Sequence, residues 1–169
     1  IHDLEHPRQP LSALGFLVRS LEMRLSAGLP PFTTLSCDNL PENGKTLRDL
    51  VLEFTDRRDS ALARWIESEG AFPCCMVDRI VPTADNTDRE TVAMRLGVRD
   101  EAVVVTEPFR QWVIEDRFAC GRPAWEKTGV DLVDDVRPFE EMKLRLLNGT
   151  HSTLAYLGYL AGFKYVADA

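Results

Sequence analysis

Glycine is scarce in this chain, ten residues in 169, and no two stand at G-x-G spacing. That excludes reading either a dinucleotide-binding fingerprint or a Gly-rich phosphate loop from it. No G-x-S-x-G motif occurs either, so the nucleophile elbow of the α/β-hydrolases is absent. No uninterrupted apolar run approaches the roughly 18 residues needed to cross a bilayer. The opening Ile1-His2-Asp3-Leu4 has neither a basic n-region nor an apolar h-region, so no secretory signal is read there. Positive charge is the minority sign. Twenty Lys plus Arg against twenty-seven Asp plus Glu leave a net charge of −7, which argues against a nucleic-acid partner.

The four cysteines, Cys37, Cys74, Cys75 and Cys120, include no C-x-x-C pair. They suit neither a zinc site nor a disulfide framework, and are expected to be buried, reduced thiols of a cytoplasmic protein. Two of the three histidines, His2 and His6, sit in a polar leader, and a cysteine enzyme is rejected. What remains is one domain's worth of chain, 44% apolar, in a cytoplasmic α/β or helical class. The sequence opens in mid-pattern without Met and stops directly after the apolar stretch 154–166, as a fragment would.

Leu14, Leu17, Val18, Leu21 and Leu25 recur at helical spacing after Ser12, and Gly28 with Pro30-Pro31 ends the run. Residues 32–37 (FTTLSC) predict a short strand that runs into a polar loop at 38–44. Residues 45–68 predict one or two helices, with an interruption near Asp59. Further strands are expected at 72–81, 102–106, 111–114 and 130–136, with a short helix around 91–96. From Phe139 to Phe163 the period turns helical, with a possible break at Gly149. Alternating helices and strands argue a largely parallel sheet covered by helices. The spacing Gly158-x-x-x-Gly162 predicts close helix packing.

The densest chemistry lies in Lys143-Leu-Arg-Leu-Leu-Asn148-Gly-Thr-His151. On an α-helix Asn148 lies about 140° and His151 about 80° round from Lys143, so the three can face one pocket while Arg145 points elsewhere. A lysine of depressed pKa can exchange a hydroxyl proton, and an amide N–H₂ can steady a developing alkoxide. His151 can hold a neighbouring hydroxyl. The same residues also suit an ordinary solvated helix face, and spacing alone does not choose between them. Ser36-Cys37-Asp38-Asn39 with Pro41-Glu42-Asn43-Gly44 is a second candidate, with Asn39 beyond a strand's carboxyl end or in a simple Asx turn. Asp78 and Arg79 are a third. As strand neighbours they point to opposite faces, and either lines a cleft or forms a structural ion pair.

Several segments together resemble the mannitol dehydrogenase family of long-chain, zinc-independent polyol dehydrogenases. They are Phe72-Pro-Cys-Cys-Met-Val-Asp-Arg-Ile-Val-Pro82, Lys143-x-x-x-x-Asn148-x-x-His151 and Ser36-Cys-Asp-Asn39. Glu107-Pro-Phe-Arg-Gln-Trp-Val-Ile-Glu-Asp116 and Leu154-Ala-Tyr-Leu-Gly-Tyr-Leu-Ala-Gly162 are also similar to it, especially to its fructuronate reductase (mannonate oxidoreductase) branch. The resemblance is collinear over essentially the whole chain.

It implies NAD(H) as cofactor, no metal, and a sugar acid or polyol substrate exchanged between secondary alcohol and ketone. D-mannonate/D-fructuronate is favoured over D-mannitol/D-fructose. It further implies that Lys143 is the general acid/base, that Asn39 and Asn148 hold the oxyanion, and that His151 orients the substrate. Glu140, one turn before Lys143, is a hypothetical proton relay, with an ordinary first-turn helix acid as the alternative. Mapped onto the family, the chain is a middle fragment. Residues 1–137 correspond to the later part of a Rossmann-type domain without its nucleotide-binding turn, and 138–169 to the start of a helical substrate domain. On this reading the isolated chain is inactive, binds NAD(H) poorly, and needs the remainder of the full-length enzyme as its partner. The contrasting reading is a non-catalytic binding or scaffold domain.

Overall fold

Ser12 starts the first long helix. In the computed structural model, which describes residues 2–169, its hydroxyl accepts the Gly15 N–H and caps α2 (Ala13–Ser26). A short helix, α1 (His2–Glu5), precedes it where the sequence suggested only a polar leader. Asp3 of α1 is buried, and its carboxylate accepts the Leu11 and Ser12 N–H groups and the Ser12 hydroxyl. The predicted break near Asp59 is real. Its carboxylate accepts from Ala61 and Leu62, so α3 (Asn43–Asp56) ends and α4 (Ser60–Glu69) begins. Val18 and Leu21 of α2, Val51 of α3, and Leu62 and Ile66 of α4 close a core between these helices. Each side chain removed from water there contributes about 1.5–3 kcal/mol.

The sheet has three short strands in the order β1-β2-β3: β1 (Cys75–Asp78), β2 (Gln111–Glu115) and β3 (Asp131–Val133). β2 runs antiparallel to β1 and parallel to β3. The expectation of a largely parallel sheet is thereby corrected to a mixed one. The alternation rule assumes that each intervening helix packs onto the sheet. The helix between β1 and β2, α5 (Asn86–Leu96), buries no residue, so it is an excursion and not a crossover. It starts earlier than expected, under a capping box of Asp85 and Asp88.

Two predicted strands do not form. In 32–37 the backbone makes one isolated bridge, Thr33 with Ala71, and 102–106 joins no ladder. β-branched residues fit a pleated surface, yet a strand also needs a partner along its length. Side chains alternate across β1. Cys74 and Met76 pack with Val113 and Val136 on one face, and Cys75 packs with Ile114 and Val130 on the other. Cys74 and Cys75 are buried as expected, but Cys37 and Cys120 are exposed; all four are free thiols.

The C-terminal helical region forms without interruption, but its winding changes. α6 (Arg137–Met142) opens with Pro138 and passes into a π-helical segment, Lys143–Asn148. At Gly149 the winding returns to that of α7 (Gly149–Leu160), so the expected break is a change of pitch. Gly158 meets the chain end closely: a Cβ there would stand 2.7 Å from Ala169 Cβ. Among the described residues no helix is long and apolar enough to cross a membrane.

Candidate active site

β1 is an edge strand, with β2 on one side only. A cavity of about 160 Å³ opens beside it, lined by the 38–41 loop, by Cys75, Met76 and Val77 of β1, and by Glu140, Glu141, Lys143, Leu144 and Asn148. Three of the four residues assigned to catalysis from sequence, Asn39, Lys143 and Asn148, therefore share one cavity, and the hypothetical relay Glu140 joins them.

Lys143 is half-buried and doubly anchored. Its ammonium donates to Asn39 Oδ1 at 2.8 Å and to the Val77 carbonyl at 2.7 Å. An ammonium has three N–H donors, so one is left for a ligand in the cavity. Asn39 presents its Oδ1 to Lys143, and its amide N–H₂ has no partner among the described residues. The Asx geometry also forms here, because Asp38 Oδ1 accepts the Asn39 N–H at 2.8 Å. That turn and the lysine contact act together: the turn sets the backbone and leaves the side chain for Lys143.

The π-helical winding explains why Asn148 reaches the same wall. Five residues on an α-helix separate side chains by about 140°, whereas a turn closed by i→i+5 bonds brings residue i+5 back toward residue i. Lys143 and Asn148 are the two ends of that segment. Arg145 is not part of the lining, but it pairs with Glu141, which is, at 3.3 Å.

Glu140 is half-buried, and its Oε1 accepts the Glu42 N–H at 3.2 Å. Burial raises its pKa, the Glu42 N–H lowers it, and the charges of Glu42, Glu115 and Asp135 raise it further. Glu42 holds a left-handed backbone, φ 50°, at the entry to α3.

The remaining sequence candidates lie off this cavity's lining. His151 is exposed on α7. Asp78 ends β1 half-buried, and Arg79 is exposed with its Nε on the Glu107 carbonyl at 2.9 Å. Sequence reasoning did not single out the Val77 carbonyl or the Glu42 N–H, for a backbone group carries no residue identity. Asn43 lay within the second candidate segment but was given no role, for its only signal was an amide four residues after Asn39. Among the described residues no group of three or more His, Cys, Asp or Glu is placed to hold a metal ion.

The family profile described as the mannitol dehydrogenase Rossmann domain matches residues 5–127, and that of the mannitol dehydrogenase C-terminal domain matches 135–169. The D-mannonate oxidoreductase of Escherichia coli K12 is 54% identical over 167 residues, 99% of this chain and 34% of that protein. The structure of Pseudomonas fluorescens mannitol 2-dehydrogenase in ternary complex with NAD and D-mannitol superposes with a TM-score of 0.83. It is 49% identical, over 96% of this chain and 33% of that one. A substrate-free D-sorbitol dehydrogenase superposes at 0.88 with 43% identity, over 95% of this chain and 33% of that one. The chain thus spans about a third of the length of the relatives it matches. It belongs to the mannitol dehydrogenase family, and its mixed helix-and-sheet fold is that family's α/β class.

Proposed function

We propose that this member of the mannitol dehydrogenase family is part of an NAD-dependent oxidoreductase acting on a linear sugar acid or polyol. It interconverts a secondary alcohol and a ketone, with D-mannonate/D-fructuronate as the leading pair and D-mannitol/D-fructose as the alternative. The observation that carries the reading is the Lys143 ammonium, anchored on Asn39 and Val77 at a cavity that Asn148 and Glu140 also line.

The apolar wall of Leu40, Pro41, Met76 and Leu144 beside these polar groups suits a nicotinamide ring set against a carbonyl. NAD(H), when bound, would supply or accept the hydride. The chain's own residues manage the oxygen. The free N–H of Lys143 and the amide donors of Asn39 and Asn148 converge on the carbonyl oxygen and hold the charge that develops there. Lys143 gives that oxygen its proton in reduction and takes it back in oxidation. Glu140, with its raised pKa, returns the proton between Lys143 and solvent. His151 would orient a neighbouring hydroxyl, and Asp78 and Arg79 would act at the cleft margin once the rest of the protein is present.

We place the domain boundary at 137/138, where Pro138 opens the C-terminal helical region. The acidic balance fits a cytoplasmic enzyme with a small-molecule substrate and no nucleic-acid partner. The test is NADH oxidation by the full-length protein that carries this chain, with D-fructuronate and with D-fructose, beside Lys143→Ala. Turnover of one ketone, lost by about 10²–10⁴-fold on substitution, is expected. Turnover of neither ketone overturns the reading.

A further inference from the structure

We propose that Asn43 is a positioning residue for Lys143, a role that rests on the reading of Lys143 as the general acid/base. Asn43 opens α3 and is 2% exposed. Its Nδ2 donates to the Asp38 carbonyl at 2.9 Å and to the Cys75 carbonyl at 2.8 Å, while its Oδ1 accepts the Cys75 N–H at 2.9 Å. One amide thus ties together two backbone segments. Asp38 immediately precedes Asn39, and Cys75 stands two residues before Val77. Asn39 Oδ1 and the Val77 carbonyl are the two acceptors that anchor Lys143.

The edge of β1 makes this coupling direct. The Cys74 carbonyl accepts the Glu115 N–H, so it faces β2. Backbone groups alternate between the two edges of a strand, and the Cys75 and Val77 carbonyls therefore share the edge away from β2. That edge would otherwise carry unpaired backbone groups. Asn43 occupies its first free position and Lys143 its next. Shifting the 38–39 loop or the register of this edge moves both ligands of the ammonium at once.

Asn43 is held in place from its other side as well. A Cβ on Gly44 would stand 2.5–2.6 Å from the Pro73 and Phe72 carbonyl oxygens, so the start of α3 lies hard against the entry to β1. The side chain has little room to find other partners. Its three bonds to backbone fix the loop and the strand relative to each other.

The experiment uses the full-length protein with Asn43→Ser, which removes the amide's reach, and Asn43→Asp, which keeps the acceptor for Cys75 N–H but loses both donors. A misplacement of about 1 Å costs on the order of 10²-fold in rate, so kcat is expected to fall about 10- to 100-fold with NADH binding unchanged. The loss should fall on kcat while the KM for the ketone holds, because the displaced ammonium acts at the reacting oxygen. A purely structural amide would lower the melting temperature and leave kcat as it was. That result overturns the proposal, as does failure of both variants to fold. Lys143→Ala in the same assay separates the two readings. If it retains turnover, the site itself is misassigned and the Asn43 role falls with it. If it abolishes turnover while the Asn43 variants keep theirs, only the Asn43 role fails.

Discussion

The N–H of Glu42, at the left-handed entry to α3, donates to the carboxylate of Glu140 on α6 at 3.2 Å. This one bond links the loop that carries Asn39 to the helix that leads into Lys143. It also opposes the burial that raises the Glu140 pKa. Glu140 is therefore a carboxyl whose pKa burial raises and the Glu42 N–H holds back.

Replacing Glu140 with Gln should separate proton exchange from architecture. Gln keeps an oxygen that can accept the Glu42 N–H, so the 38–42 loop should hold. The exchangeable proton is lost. The acid-side limb of the pH–kcat profile should lose the contribution of this raised carboxyl, and turnover should fall while NADH affinity stays constant. A profile that superposes on the parent's would remove Glu140 from proton transfer and leave it as a loop anchor.

The two asparagines should differ in a way the geometry dictates. Asn39 both anchors Lys143 and offers an amide, whereas Asn148 has no hydrogen-bond partner among the described residues and offers only its amide. Loss of one oxyanion donor costs about 10²–10³-fold in kcat. Asn148→Ala should reach that range. Asn39→Ala should lose more, since it removes an amide donor and an anchor of Lys143 together. Steady-state kinetics on both variants would check this, and equal losses would argue against the Asn39–Lys143 contact.

At the other end of the chain, Asp3 predicts an acid-sensitive helix start. The Ser12 hydroxyl, then the Leu11 and Ser12 N–H groups, hold its carboxyl well below the usual carboxylate range. A pKa lowered in the folded state stabilises fully above the unfolded value, and that contribution is lost as pH falls from there through the folded value. Asp3→Asn should therefore melt earlier than the parent at pH 7, and the gap should begin to narrow below about pH 4, where unfolded aspartate is protonated. Thermal unfolding at pH 7 and pH 3 tests it. A gap that persists unchanged at pH 3 would mean that packing, and not the charge, carries the effect.

What could be read from sequence follows a physical division. Helix α2 was legible because a periodic apolar stripe, the Ser12 cap and the Gly28 stop all agree. The Asp59 boundary was legible for the same reason, since a cap is a side chain with a sequence identity. Lys143 and Asn148 were legible as chemistry, but α-helical angles misplaced them, for nothing in Lys-Leu-Arg-Leu-Leu-Asn announces a π turn. The strand expected at 32–37 has the right propensities and only the Thr33–Ala71 bridge for a partner. Pairing is decided by distant chain, which is why the mixed sheet and the exposed excursion of α5 were not foreseen.

Cysteine reactivity offers a reading of the β1 edge that needs no substrate. Burial pushes the Cys75 thiol up to about 11 and raises Cys74 as well, while Cys37 and Cys120 are exposed. The thiolate is the reactive form, so access and thiolate fraction act together against the buried pair. Brief alkylation with iodoacetamide at pH 8, read at each cysteine by peptide mass spectrometry, should modify Cys37 and Cys120 and spare Cys74 and Cys75. In denaturant all four should react alike, because the unfolded thiols share one ordinary pKa near 8.5. Asn43 bonds the Cys75 backbone on both its N–H and its carbonyl. Asn43→Ser should therefore make Cys75 alkylate faster and leave Cys120 at its parental rate. Equal protection of Cys75 in both proteins would show that the strand edge stays closed without the amide.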